Sequence, residues 1–168
     1  EAIPMQGSGT FAVESVLSST VPPEGKVLIL ENGAYGKRMQ RICSILKIDT
    51  EILSWPEDRT PDPKRVEEAL ANDEAITHVA IVDCETTTGI LNPVKEIGEV
   101  VRAHRKVYLV DAMSSFGAVP MHLADWKIDY LVSSANKCIE GVPGFGFALC
   151  RREPFLETKG WSRSLSLD

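Results

Sequence analysis

The chain has 168 residues, 43% of them hydrophobic, and a formal net charge of −6. This length is enough to bury one sizeable core, and nothing in the composition predicts a second domain. The acidic balance and the lack of a basic stripe argue against a nucleic-acid partner, and no apolar run approaches the roughly 18 residues of a membrane span.

Cysteine and histidine usage argues against a metal site. The four cysteines, Cys43, Cys84, Cys138 and Cys150, show no paired metal-ligand spacing, and only three histidines are scattered among them. Reduced thiols in a cytoplasmic protein are therefore the preferred interpretation. An organelle-targeting segment upstream of the chain would change that localisation.

Predicted strands and helices alternate along the chain. The helices are predicted at residues 9–19, 35–46, 63–71 and 93–104. The strands are predicted at residues 26–30, 51–54, 78–82, 107–110, 129–132 and 145–150. Such alternation favours an α/β fold in which helices cover both faces of a mostly parallel sheet. The proline-rich stretch at residues 55–63 is predicted to be an irregular connection across the sheet surface.

Lys137 is the first candidate for a reactive side chain. It follows an apolar strand pattern at residues 128–132 and precedes the turn-rich sequence GVPGFG at residues 141–146. An amine attacks an aldehyde only when it is deprotonated, and partial burial at a strand end favours the neutral form. A plain surface lysine in a loop is the alternative.

Asp111 ends the preceding predicted strand. In an open α/β sheet, ligands bind beyond the carboxyl ends of the strands, so Asp111 and Lys137 should face one crevice. An acid and an amine in that arrangement suit pyridoxal phosphate. Asp111 would keep the pyridine nitrogen protonated, and Lys137 would carry the aldehyde carbon. Taken alone, Asp111 could equally cap a helix or bind a metal.

Residues 7–10, with the sequence GSGT, open the first predicted helix. Backbone amides at a helix start, together with the hydroxyls of Ser8 and Thr10, would hold a phosphate with the help of the helix dipole. The motif is neither a Walker loop nor a complete dinucleotide-binding glycine fingerprint. A simple helix cap is the alternative, and the motif gains weight only beside Asp111 and Lys137.

Five motifs in order along the chain resemble the class V aminotransferases of the type I pyridoxal phosphate fold, and among them the 2-aminoethylphosphonate:pyruvate aminotransferase family. They are residues 6–14 (QGSGTFAVE), 32–36 (NGAYG), 84–89 (CETTTG), 111–117 (DAMSSFG) and 133–147 (SSANKCIEGVPGFGF). The resemblance covers essentially all 168 residues. The fold that it implies is a three-layer α/β/α large domain with a mostly parallel sheet.

The resemblance assigns a role to each matched position. It makes Lys137 the lysine that bonds to the cofactor and Asp111 the partner of the ring nitrogen. Tyr35 matches an aromatic ring stacked on the cofactor, and Thr86 matches a hydroxyl near its phenolic oxygen. The remaining matches are Ser8, Gly9 and Thr10 in the phosphate cup, Met113 beside the acid and Asn136 beside the lysine. A core methionine and a loop asparagine are equally good interpretations of these last two.

The function implied by the resemblance is transamination dependent on pyridoxal 5'-phosphate. The amino group of 2-aminoethylphosphonate would pass to pyruvate and give phosphonoacetaldehyde and alanine, in phosphonate catabolism. The implied partners are a small-molecule amine and a 2-oxo acid, with a homodimer for the full-length enzyme and no nucleic acid or membrane. Residues 1–168 would be a single cofactor-binding large domain, inactive alone, with an N-terminal segment and a C-terminal small domain outside it.

Asp83 departs from the family pattern, which often has histidine at this position. An acid close to the ligand would disfavour an anionic phosphonate, whereas a surface-loop location would remove that concern. Other functions also stay open. A class V transaminase that acts on glyoxylate with alanine or serine would share every cofactor motif. A non-catalytic domain for cofactor binding or dimerisation is a further alternative, and a nucleotide-binding Rossmann domain is a weaker one.

Overall fold

A seven-stranded sheet forms the centre of the computed structural model, which describes residues 1–168. The strands are β1 (Ala2–Gln6), β2 (Lys26–Glu31), β3 (Asp49–Ser54), β4 (Ile76–Val82), β7 (Val107–Asp111), β8 (Tyr130–Ser134) and β9 (Phe145–Cys150). A separate hairpin contains β5 (Cys84–Glu85) and β6 (Ile90–Leu91). The sheet order is β1-β9-β8-β7-β4-β2-β3, and β9 runs antiparallel to both of its neighbours while the other pairings are parallel.

Helices cover both faces of this sheet. The helices α1 (Gly9–Thr20) and α2 (Ala34–Leu46) pack on one face, and α3 (Pro63–Asn72) and α4 (Val94–Ala103) pack on the other. A short helix α5 (Arg152–Leu156) and a 3₁₀ turn (Leu165–Leu167) follow β9. The predicted three-layer, mostly parallel α/β fold is confirmed. None of the helices combines the length and the apolar character needed to cross a membrane.

Two buried cores result from the alternation of side chains along the strands. On β4, Ala80 and Val82 pack under α1 and α2, whereas Val79 and Ile81 pack under α3 and α4. Successive side chains of a strand point to opposite faces, so this alternation also decides which face of the sheet a polar residue at a strand end points to. Asp111 is two residues beyond Leu109, which belongs to the core under α1 and α2.

The sequence prediction missed β1, the short hairpin and α5. Pro4 has no backbone N–H and argues against a strand, but β1 lies at the edge of the sheet, where a proline is tolerated. The hairpin strands have two residues each, which is too short for a periodic pattern. The elements that were predicted begin and end within two residues of the observed positions.

Candidate active site

A cavity of about 430 Å³ lies at the carboxyl edge of the sheet, where β7 and β8 end and α1 and α2 begin. Eight of the nine candidate residues line it, and these are Ser8, Gly9, Thr10, Tyr35, Asp111, Met113, Asn136 and Lys137. Thr86 is the ninth and is not among the lining residues. The structure therefore brings the predicted acid, amine, aromatic ring and helix start to one place.

Asp111 is a buried acid at the wall of this cavity. Its side chain is 4% exposed, and its Oδ1 atom accepts a hydrogen bond of 2.9 Å from the backbone N–H of Met113. Burial raises the pKa of Asp111 to about 6, against the smaller opposing effects of the Met113 N–H and the charges of Arg38 and Lys137. A carboxyl group in this state gains a great deal from a cationic partner.

The start of α1 forms the second wall. Ser8 is the N-cap residue, and its Oγ atom accepts from the backbone N–H of Phe11 at 3.3 Å. The first turn of α1 carries no acidic residue, so nothing there opposes an anion. Gly9 is in close contact with Met113, and a β-carbon at Gly9 would collide with the Met113 sulfur. This turn suits an anion held by backbone amides.

Lys137 lies in the loop between β8 and β9, three residues beyond the end of β8. The backbone N–H of Gly7 donates to the carbonyl of Gly144 at 2.9 Å, which joins this loop to the turn before α1. Lys137 and Asn136 are exposed. The expectation that Lys137 is partly buried is wrong for this chain, because every residue of the loop from 136 to 145 is exposed.

Two aromatic and cationic side chains from α2 complete the cavity. The Tyr35 ring is half-buried, and the Arg38 guanidinium carbon lies 4.5 Å from the centroid of that ring. Arg38 Nη1 also donates to the hydroxyl of Thr10 at 3.2 Å. Arg38 was not predicted from the sequence, although it follows Tyr35 by three residues and so shares its helix face. That spacing was the available signal.

Thr86 lies outside the cavity lining. Its hydroxyl oxygen lies 2.6 Å from that of Ser114, and the two hydroxyl groups share an exposed hydrogen bond. Its neighbour Glu85 is fully buried, and each of its carboxylate oxygens lies 3.3 Å from the backbone nitrogen of Tyr35. No role for Glu85 was predicted from the sequence.

Asp83 does not lie in a surface loop. It is 3% exposed, its backbone N–H donates to the carbonyl of Asp111 at 2.8 Å, and its side chain is absent from the cavity lining. Burial, together with the charge of Asp83, raises the pKa of Tyr108, which packs under α3 and α4. The preceding residue, Val82, packs under α1 and α2, so the alternation of side chains along the strand points Asp83 toward the opposite layer.

Comparisons with known proteins agree with this geometry. The sequence profile described as aminotransferase class-V matches residues 3–164. A 2-aminoethylphosphonate--pyruvate transaminase from Syntrophobacter fumaroxidans is 55% identical over 164 residues, which are 98% of this chain and 44% of that protein. The chain thus spans about half the length of the curated relatives that it matches.

Two solved structures are similar in sequence and in fold. The pyridoxamine-pyruvate aminotransferase of Mesorhizobium loti is 28% identical, with a TM-score of 0.88 over 95% of this chain and 41% of that one. The alanine--glyoxylate aminotransferase of a Nostoc species is also 28% identical, with a TM-score of 0.88 over 97% of this chain and 43% of that one. The matched profile covers nearly all of the sequence, and the chain belongs to the class-V aminotransferase family.

Proposed function

We propose that this chain is the cofactor-binding large domain of a pyridoxal phosphate-dependent transaminase that uses 2-aminoethylphosphonate and pyruvate. The observation that carries the proposal is the shared cavity, in which the buried Asp111, the Lys137 loop and the start of α1 face one another. The 55% identity to a 2-aminoethylphosphonate--pyruvate transaminase supports the choice of substrates. The products would be phosphonoacetaldehyde and alanine.

The residues present fit pyridoxal phosphate. Asp111 is a buried acid whose pKa is raised by burial. Such an acid is a suitable partner for a protonated pyridine nitrogen, since the bound cation would favour its ionised form. Ser8, Gly9 and Thr10 would hold the phosphate at the start of α1, where no acidic residue opposes it. When bound, the cofactor supplies an aldehyde and a ring that accepts electrons.

Each side chain of the cavity then has a defined task. Lys137 would attach the cofactor through its Nζ atom and would remove the proton from the substrate carbon that bears nitrogen. Asp111 would keep the ring nitrogen protonated, and the Tyr35 ring would pack against the face of the pyridine. Met113 N–H holds the Asp111 carboxylate in place at 2.9 Å.

The charge of the cavity suits an anionic substrate despite the net charge of −6 for the whole chain. Arg38 and Lys137 are the two cationic residues that line it, and Arg38 donates to the Thr10 hydroxyl at the start of α1. Asp83 is not among the residues that line the cavity. Local cations of this kind attract phosphonate and carboxylate groups.

The assignment extends to organisation and location. We propose that residues 1–168 form one domain, that the full-length enzyme is a homodimer and that it works in the cytoplasm. The four cysteines are all unpaired, which supports a reducing compartment. Sedimentation of the full-length protein would test the dimer, and a mass that corresponds to a monomer at micromolar concentration would contradict it.

The attachment of the cofactor has a direct test in the full-length protein. Borohydride treatment after addition of pyridoxal phosphate should leave the cofactor mass on the peptide that contains Lys137. Lys137→Ala should lose both this adduct and the visible absorbance band, whereas Lys159→Ala, at an exposed loop lysine, should keep both. An adduct of equal yield in Lys137→Ala would refute the role of Lys137.

The likeness to the Nostoc alanine--glyoxylate aminotransferase supports one rival, a transaminase that uses glyoxylate. A screen of amino donors separates the two proposals. Turnover of 2-aminoethylphosphonate with pyruvate at least tenfold faster than that of alanine or serine with glyoxylate would support the phosphonate enzyme. The reverse order would support the rival, and cofactor uptake without any transamination would indicate a non-catalytic domain.

A further inference from the structure

Glu85 is a fully buried carboxylate that contacts the start of α2. Both of its oxygens lie 3.3 Å from the Tyr35 backbone nitrogen, and the Thr87 hydroxyl donates to Oε1 at 3.2 Å. No lysine or arginine pairs with it in the structure. A buried carboxylate without a cationic partner needs hydrogen-bond donors, and the Tyr35 N–H and the Thr87 hydroxyl are the donors in contact with Glu85.

The sequence of α2 explains why this carboxylate is useful. Its N-cap residue is Gly33, which has no side chain to accept a hydrogen bond, and its first turn contains no acidic residue. A β-carbon at Gly33 would collide with the side chain of Glu85, so glycine at this position leaves the room that the Glu85 side chain occupies. Glu85 thus supplies from β5 the acceptor that other helices obtain from their own N-cap residue.

The start of α2 determines where Tyr35 and Arg38 lie. The backbone N–H of Tyr35 donates a hydrogen bond to Glu85, and the Tyr35 ring lines the cavity. Arg38, one turn later, lies over that ring and donates to Thr10 at the start of α1. A shift of the first turn of α2 would therefore move the aromatic wall of the cavity and loosen its connection to α1.

We propose that Glu85 is a positioning residue that acts from outside the cavity, as a cap for α2 that holds the Tyr35 ring against the cofactor. The role of that ring depends on the proposed function, but the capping role does not. Glu85 also lies close enough for its charge to raise the pKa of Asp111, alongside the larger effect of burial. Loss of the charge would therefore change Asp111 as well as Tyr35.

The experiment compares Glu85→Gln with the wild type in the full-length protein. Glutamine keeps the shape and one acceptor oxygen but removes the charge. We expect hydrogen exchange of the peptide spanning residues 33–38 to be about tenfold faster in the cofactor-free variant, since a charge-assisted hydrogen bond becomes a neutral one. We also expect an approximately tenfold weaker Kd for pyridoxal phosphate. Glu96→Gln, at an exposed acid in the first turn of α4, is the matched control.

A rescue variant separates positioning from general damage. Ala34 is exposed in the first turn of α2, so Ala34→Glu restores a carboxylate at that helix end. In the Glu85→Gln background, this second change should return the exchange rate of residues 33–38 toward that of the wild type. Unchanged exchange and an unchanged Kd in Glu85→Gln would overturn the proposal.

Failure of the proposed function remains distinguishable. If neither the wild type nor the variants bind pyridoxal phosphate, the cofactor proposal is wrong, and the exchange rates still decide whether Glu85 caps α2. If Glu85→Gln does not fold, Gly33→Ala tests the same contact from the other side. Faster exchange at residues 33–38 would then support the capping role, and wild-type exchange would overturn it.

Discussion

Replacement of Asp111 by asparagine should stabilise the cofactor-free protein at neutral and alkaline pH. Asparagine has the shape of aspartate, and its side-chain oxygen can still accept the Met113 N–H bond of 2.9 Å. The charge that burial disfavours is gone. The variant should nevertheless bind pyridoxal phosphate far more weakly, because a neutral amide does not pair with a protonated ring nitrogen.

The magnitude follows from the pKa of Asp111. Burial raises this pKa from 3.8 to about 6, and each unit corresponds to about 1.4 kcal/mol, so the ionised side chain costs about 3 kcal/mol of folding free energy. Because the folded-state pKa is the higher one, the penalty vanishes only well below the unfolded-state pKa of 3.8, near pH 3, where both states are protonated. The penalty grows as the pH rises and is complete above about pH 6.

Urea unfolding of the cofactor-free protein at several pH values provides the assay. The difference in unfolding free energy between Asp111→Asn and the wild type should be near zero at pH 3 and about 3 kcal/mol at pH 8. Asp125→Asn, at an exposed acid, should show no such trend. If Asp111→Asn is no more stable than the wild type at pH 8, the carboxyl group does not carry the burial penalty inferred from its environment.

Three other substitutions test the core and the cavity. Burial lowers the pKa of His78 to about 4. The neutral buried imidazole therefore contributes to the unfolding free energy above pH 6.5, and up to about 3 kcal/mol of this contribution should be lost on acidification to pH 4. Urea unfolding of His78→Gln should not show this loss. Gly98→Ala should lower unfolding free energy by about 1–3 kcal/mol, because the new β-carbon collides with the Trp126 carbonyl. Glu99→Ala on the same helix should cost little. Arg38→Gln should weaken pyridoxal phosphate binding several-fold in an absorbance titration, since the contact with the Tyr35 ring is lost.

The acid and the amine of the cavity could be predicted because strand ends in a parallel sheet share one edge. Asp111 is the last residue of β7 and Lys137 follows β8, and the two strands are neighbours. Only the strand pattern and this rule were needed to place them together. The exposure of Lys137 could not be predicted, because it depends on how far the loop projects and not on the strand that precedes it.

The contribution of Glu85 could not be found from the sequence. Its contact with Tyr35 joins residues 50 positions apart and exists only because the hairpin of β5 and β6 folds against the start of α2. A glutamate in a Cys-Glu-Thr-Thr-Thr run carries no pattern that indicates burial. Arg38 was missed for a different reason, since a charged residue on a helix is ordinarily part of the solvated face.

The single antiparallel strand explains how the lysine loop and the start of α1 come together. After Lys137 the chain turns back along β8 as β9, and β9 in turn pairs with β1, which leads directly into α1. Gly144, at the end of the loop, therefore meets Gly7, at the end of β1, in a hydrogen bond of 2.9 Å. A parallel return would have required a crossover connection and would have placed the end of the loop at the opposite edge of the sheet. The reversal at β9 thus makes the lysine loop and the turn before α1 neighbours, and this hydrogen bond joins them.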